Sequence, residues 1–200
     1  GFNRRFSPHV KKIAELLTPL HAPKNMVMTV NAGFIPKDHW TQDADVGGGR
    51  LLGEACHFVD LLRFLAGSTI IDARCANLSA EKSHMEEDEN ITITLRFADG
   101  SQGTVHYFSN GHKAFPKERL EVFCDGKIIQ LDNFRKMKAY GFKGFSKMNL
   151  MRQDKGQSNC VKAFVDAVDK GTPSPISLTE IIEVTEVCLE LREKLKGKQQ

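Results

Sequence analysis

The chain has 200 residues, a formal net charge of +3, 40% apolar residues and 26% charged residues. That length suits one domain with a sizeable core, or two small ones, and the modest charge argues against a nucleic-acid binder that works by bulk charge. Five cysteines, at 56, 75, 124, 160 and 188, are odd in number and include no Cys-x-x-Cys pair; neither a disulfide framework nor a structural zinc site is expected, and a reducing, cytoplasmic setting is the simplest reading. No apolar run approaches the ~20 residues that span a membrane. The opening GFNRRFSPHV has no apolar h-region, so no secretory signal is expected.

Gly1 to Phe6 reads as a short extended piece that begins abruptly, as though cut from a larger protein. Ser7-Pro8 starts a helix, with Ser7 as candidate N-cap and Pro8 at the first helical position. Pro19 and Pro23 end it. Met26 to Phe34 predicts a strand, and Ile35 to Gly49 an irregular loop with three consecutive glycines. Arg50 to Ala66 is the most apolar helix, closed by Gly67 as a C′ residue. Strand-like runs follow at 69–78, 90–97, 102–109, 118–124 and 127–132, with Asp99-Gly100 and Asp125-Gly126 as tight hairpin turns. Two helices, near 158–170 and 178–195, complete the pattern, and Ser177 or Thr179 can cap the second. Consecutive hairpins require antiparallel pairing. The fold class expected is α+β: an open, mostly antiparallel sheet with helices packed on one face, and no complete Rossmann domain.

The segment Asp43 to Asp60, DADVGGGRLLGEACHFVD, is the most informative. Its helix is apolar almost all round and should be buried. Yet Arg50, Glu54 and His57 fall on one stripe at i, i+4 and i+7, with Asp60 a turn further on. Buried polar groups are costly unless satisfied or used. His57 is suited to moving a proton near neutral pH, with Asp60 or Glu54 able to fix its tautomer. The plainer reading is a hydrogen-bonded core histidine, with Asp60 paired to Arg63. Gly47, Gly48, Gly49 and Gly53 give a loose G-x-G-x-x-x-G, but a dinucleotide fingerprint follows directly on a strand and opens a βαβ unit. The positive end of this helix still favours an anionic ligand. In Arg135 to Lys147, RKMKAYGFKGFSK, basic residues alternate with Tyr140, Phe142 and Phe145. That is one form of a single-strand nucleic-acid surface. A solvated loop with its aromatics on the sheet, or on a neighbouring subunit, is the alternative favoured, because no RNA-binding motif accompanies it.

GFNRRFSP, NAGFIPKDHW and DADVGGGRLLGEACHFVDLLRFLAG resemble the Gfo/Idh/MocA oxidoreductases, which include glucose–fructose oxidoreductase, inositol dehydrogenases and sugar-acid dehydrogenases. The element order is similar over nearly the whole chain; the specific motifs lie within residues 1–67. GGGRLLGEACHFVD is most similar to a subgroup fused to an alcohol-dehydrogenase-like unit and associated with surface-polysaccharide pathways.

The resemblance implies an N-terminal Rossmann domain that binds NAD or NADP, carries a Glu-Lys-Pro segment and lies upstream of Gly1. Residues 1–25 would be its junction, and residues 26–196 the α+β substrate-binding and oligomerisation domain. It implies His57 as acid/base, Asp60 as its supporting residue, and Asn31, Lys37, Trp40, Asp43, Arg50 and Glu54 facing the substrate. Trp40 as core filler, Asp43 as a loop cap and Arg50 as a surface charge are the plain alternatives. Gly53 and Ala55 depart from the family pattern G-G-G-x-L-x-D-x-G-x-H-x-x-D. Gly53 replaces a substrate-binding Asp, which argues against polyol recognition of the inositol type. No cofactor is expected on this chain alone, with Arg4 and Arg5 the candidates for any contact to it. No metal is expected either. The partners implied are a sugar, nucleotide sugar or cyclitol, the Rossmann domain, and a second copy through the sheet face, without nucleic acid or membrane. An RNA or anionic-polymer module using 135–147 is the rival.

Overall fold

The computed structural model describes residues 1–36, 38–40, 46–78 and 90–196. Lys37 and Asp43 lie outside the described residues. A 3-10 turn at Arg4–Phe6 stands where an extended piece was expected. Then come α1 (Pro8–Leu17), β1 (Asn25–Asn31), a π-helical turn (Leu51–Ala55) running into α2 (Cys56–Ala66), and β2 (Ile70–Asn77). Strands β3 (Asn90–Phe97), β4 (Gln102–Phe108), β5 (Glu118–Cys124), β6 (Lys127–Asp132), β7 (Lys136–Tyr140) and β8 (Lys147–Asn149) precede α3 (Gln157–Lys170) and α4 (Leu178–Lys196).

The strands form one eight-stranded sheet in the order β2-β3-β4-β1-β5-β6-β7-β8. Every neighbouring pair is antiparallel except β1 with β4. The α+β class is therefore as the hairpin signals required. At Asp125-Gly126 both residues have positive φ, 48° and 68°, the backbone of a two-residue hairpin turn. Strand β1 stops at Asn31 rather than Phe34, because Gly33 takes a φ of 79° and turns the chain away.

Alternation along the strands sends Met26, Met28, Val30, Ile91, Ile93, Val105, Tyr107, Leu120 and Val122 to one face, all nearly sealed from solvent. Helix α2 lies on that face, with Leu62 over Gly103 and Phe58 against Tyr107, ring centroids 6.4 Å apart. A Cβ at Gly103 would sit 2.8 Å from a Leu62 methyl, so the glycine sets how closely α2 approaches β4. Helix α4 covers β2, and α1 reaches the far end, where His9 Nε2 lies 3.2 Å from the Met148 carbonyl. The opposite face, with Val27, Thr29, His106, Phe108 and Phe123, is partly exposed among the described residues.

Two local expectations change. The Ser7 hydroxyl does not cap α1; it donates to the Asp154 carbonyl at 2.9 Å and ties the first turn to the segment before α3. Ser177 does act at the start of α4, accepting the Glu180 N–H at 3.2 Å. The basic-aromatic stretch forms β7 and the turn into β8 instead of a loop. Met137 and Ala139 point into the core, Phe142 and Phe145 pack against it, and Tyr140 stays exposed. Among the described residues no helix is long and apolar enough to cross a membrane.

Candidate active site

Gly48 and Gly49 take φ values of 72° and 78°, a backbone that other residues adopt only with strain. They open the helix, which begins at Gly49 and passes through the π-turn before becoming regular at Cys56. Such π-turns recur at functional sites, because one extra residue per turn re-aims the side chains on either side. Here Arg50, Gly53, Glu54 and His57 all reach one cleft of about 360 Å³. Asn3 and Arg4 of the first turn, Trp40, and Gln157 at the start of α3 complete its walls.

His57 is half-buried in this cleft, with the Phe2 ring meeting it edge-on at 5.7 Å. Its Nδ1 is buried and has no hydrogen-bond partner. Burial, and after it the Arg4 guanidinium, hold the imidazole down to about pKa 4. The ring is thus neutral at physiological pH and able to accept a proton. Beside it, burial pushes the Cys56 thiol up to about 11, which keeps the sulfur protonated and a poor nucleophile.

Under the cleft runs a buried charge network. Arg4 donates Nε and Nη2 to the two oxygens of Glu118, both at 3.0 Å, and Lys155 adds a third bond at 2.6 Å. Glu118 is 1% exposed, and these partners overcome its burial and hold its carboxyl below the ordinary range. Arg4 also stands 4.0 Å from Glu54 and 4.4 Å above the Phe58 ring. Glu54 accepts from the Tyr107 hydroxyl at 2.7 Å and from Lys117 at 2.6 Å, which outweighs its burial and keeps it ionised.

The expected site residues divide accordingly. His57, Trp40, Arg50 and Glu54 come together at the cleft, with Glu54 anchored by its own partners. Trp40 is 63% exposed, so it is not core filler, and Arg50 is 3% exposed, so it is not a surface charge. Asn31 does not line the cleft; its amide donates to the carbonyls of His112 and Phe115 and pins the β4–β5 loop. Asp60 does not orient His57, nor does it pair with Arg63. It binds Arg5 through both oxygens, while Arg63 pairs with Glu183. Burial raises the Asp60 carboxyl to about 6 against the pull of Arg5. Arg5 is itself buried between Asp60 and Glu180, whereas Arg4 lines the cleft. The glycines do not follow directly on β1, which ends at Asn31.

Sequence reasoning did not single out Glu118, Tyr107, Lys117, Lys155 or Gln157. For Glu118 there was a signal. It shares the inward register of Leu120 and Val122, and a carboxylate at such a position needs a buried cation.

An α+β domain with a histidine-bearing cleft beneath an open antiparallel sheet is the class that this geometry defines. The family model described as the GFO/IDH/MocA C-terminal domain matches residues 23–130. The chain belongs to this oxidoreductase family. It is 24% identical over 140 residues to the uncharacterized oxidoreductase YrbE of Bacillus subtilis (strain 168), covering 68% of this chain and 40% of YrbE. Among solved structures it is similar to the UDP-N-acetylglucosamine 3-dehydrogenase GnnA from Acidithiobacillus ferrooxidans, with a TM-score of 0.77 and 17% identity, over 100% of this chain and 62% of that one. It is also similar to GenD2 from gentamicin A biosynthesis, solved in complex with NAD, with a TM-score of 0.74 and 17% identity over 100% and 61% of the two chains. The chain thus spans less than two thirds of the length of these relatives.

Glu118→Gln removes the anion shared by Arg4 and Lys155. Breaking a buried pair in this way costs about 3–5 kcal/mol, measured as the loss of stability in urea unfolding. A variant within about 0.5 kcal/mol of the wild type would contradict the network.

Proposed function

We propose that these residues form the substrate-binding part of an NAD(P)-dependent oxidoreductase acting on a hydroxyl group of a sugar, nucleotide sugar or cyclitol. The observation that carries this is a half-buried imidazole, His57, with an unpartnered Nδ1, on the same cleft as Arg4, Trp40, Arg50 and Glu54. GnnA is named for a nucleotide sugar and GenD2 was solved with NAD, which supports the substrate and cofactor classes.

The residues described here do not fit a dinucleotide by themselves. The one parallel pair, β1 with β4, is not joined by a single crossover helix, and the glycines are not a strand-to-helix turn from β1. The cofactor would be held by another domain, for which residues 1–25 are the junction, and dehydrogenase activity belongs to the whole protein. When bound, it supplies a hydride acceptor for the carbon that carries the hydroxyl. This chain's part is the proton. His57, neutral, takes it from the hydroxyl oxygen. Glu54 is held ionised by Lys117 and Tyr107, which fixes the cleft wall. Arg4 disfavours a resting imidazolium.

A second body is also suggested by α3. Val161, Phe164, Val165 and Val168 lie at i, i+3, i+4 and i+7, and each is about half exposed or more. The partly exposed sheet face suggests in turn that two copies pair through Val27, Phe108 and Phe123. A cytoplasmic setting is part of the same reading and rests on the odd cysteine count.

His57→Ala in the full-length protein is expected to lower kcat for NAD(P)-dependent sugar oxidation by ~10²–10⁴-fold with KM little changed. An unchanged kcat, or turnover by residues 1–200 alone, would contradict the assignment. Sedimentation should show a species larger than a monomer, which Phe108→Lys together with Phe123→Lys converts to monomer; a wild type monomeric at high concentration would refute the pairing.

A further inference from the structure

Resting on the reading of this cleft as a sugar site, we propose that the substrate is anionic. Its carboxylate or phosphate binds Arg50 at the N-terminal end of the helix that opens at Gly49.

Arg50 is the first observation. It is 3% exposed yet forms part of the cleft wall. One of its terminal nitrogens donates to the Gly33 carbonyl at 2.8 Å, and its guanidinium lies 5.3 Å above the Tyr107 ring. Its Nε is buried and has no hydrogen-bond partner. No carboxylate among the described residues pairs with it. Glu54, the acid on the same wall, is already tied to Tyr107 and Lys117. A buried cation without a counter-charge is costly, and an anionic ligand would supply one.

The helix end is the second observation. The backbone N–H groups of a first helical turn have no partner within the helix, and the helix dipole favours negative charge there. Gly47, Gly49 and Gly53 line the cleft with bare backbone. A Cβ added at Gly53 would meet nothing closer than the Gly47 carbonyl, at 3.6 Å.

The charge balance is the third. Among the described residues, Arg4, Arg50, Lys117 and Lys155 stand around and beneath the cleft against two acids, Glu54 and Glu118. A neutral sugar leaves that excess unused. A sugar acid or a sugar phosphate meets it, and a guanidinium suits either because it offers parallel donors to two oxygens.

The test is calorimetric titration of the full-length protein with glucose, glucuronate and glucose 1-phosphate, at low and high salt. At least one anion should bind about tenfold more tightly than glucose, with a gain that shrinks as salt rises. Whichever anion gains identifies carboxylate or phosphate as the group. Arg50→Gln should abolish the gain, and Arg50→Lys should keep part of it; unchanged near-ultraviolet circular dichroism shows that each is folded. Three equal affinities, or an anion preference that survives Arg50→Gln, overturn the anion site and leave the sugar reading standing. Binding of none of the three overturns it also; only an unaffected His57→Ala enzyme would take the sugar reading down with it.

Discussion

Arg4 and Arg5 leave one short turn in two directions, and the cleft depends on both. Arg4 grips Glu118 at the start of β5, and Arg5 grips Asp60 in the middle of α2. The two pairs join positions 114 and 55 residues apart, so the turn is fixed to the sheet and to the helix at once. His57 stands between them, one turn of α2 before Asp60. Buried ion pairs are weak sources of net stability, because desolvation offsets their attraction. What they give here is position, since neither arginine can move without taking two hydrogen bonds from a buried carboxylate. Gly156 tightens the same junction. A Cβ there would lie 2.4 Å from the Ser7 nitrogen and 2.5 Å from the Asn3 carbonyl.

That arrangement also determines the chemistry available. Arg4 is close enough to His57 to disfavour its protonation, and burial acts in the same direction. A histidine depressed in this way binds its proton less readily in the folded state than in the unfolded one. Stability is therefore fully present above the unfolded pKa of about 6.5 and falls as pH drops towards 4. The same depression leaves a base free to act throughout the physiological range. Glu54 and Glu118 are held ionised by partners of their own, so among the described residues of the cleft the imidazole is the group placed to exchange a proton.

Much of the fold was legible from local signals. The two Asp-Gly turns, the αL glycine after Ala66 and the i, i+4, i+7 stripe each follow from backbone geometry or helical spacing, and each stands where expected. The partners of the stripe were not legible. Asp60 has Arg63 three residues away and chooses Arg5, because Arg63 is drawn to Glu183 on α4. Only the three-dimensional packing of α4 decides between them. Strands β7 and β8 were hidden for another reason. Met137 and Ala139 alternate with Lys136, Lys138 and Tyr140, which is strand spacing, but the charge and the glycines of 135–147 resemble a loop. Asn31 was expected on the cleft from the family resemblance. Its amide instead holds a loop. The π-turn at Leu51–Ala55 carries no sequence signature.

The chemistry of the cleft depends on a His57 imidazole that is neutral in the folded protein, and the titration of that ring tests this most directly. The His57 ring protons, assigned in the full-length protein by comparison with His57→Ala and followed by NMR from pH 8 downwards, should show a midpoint well below 6.5. A midpoint about 6.5 or higher, the value of a solvated or carboxylate-paired imidazole, would contradict the account.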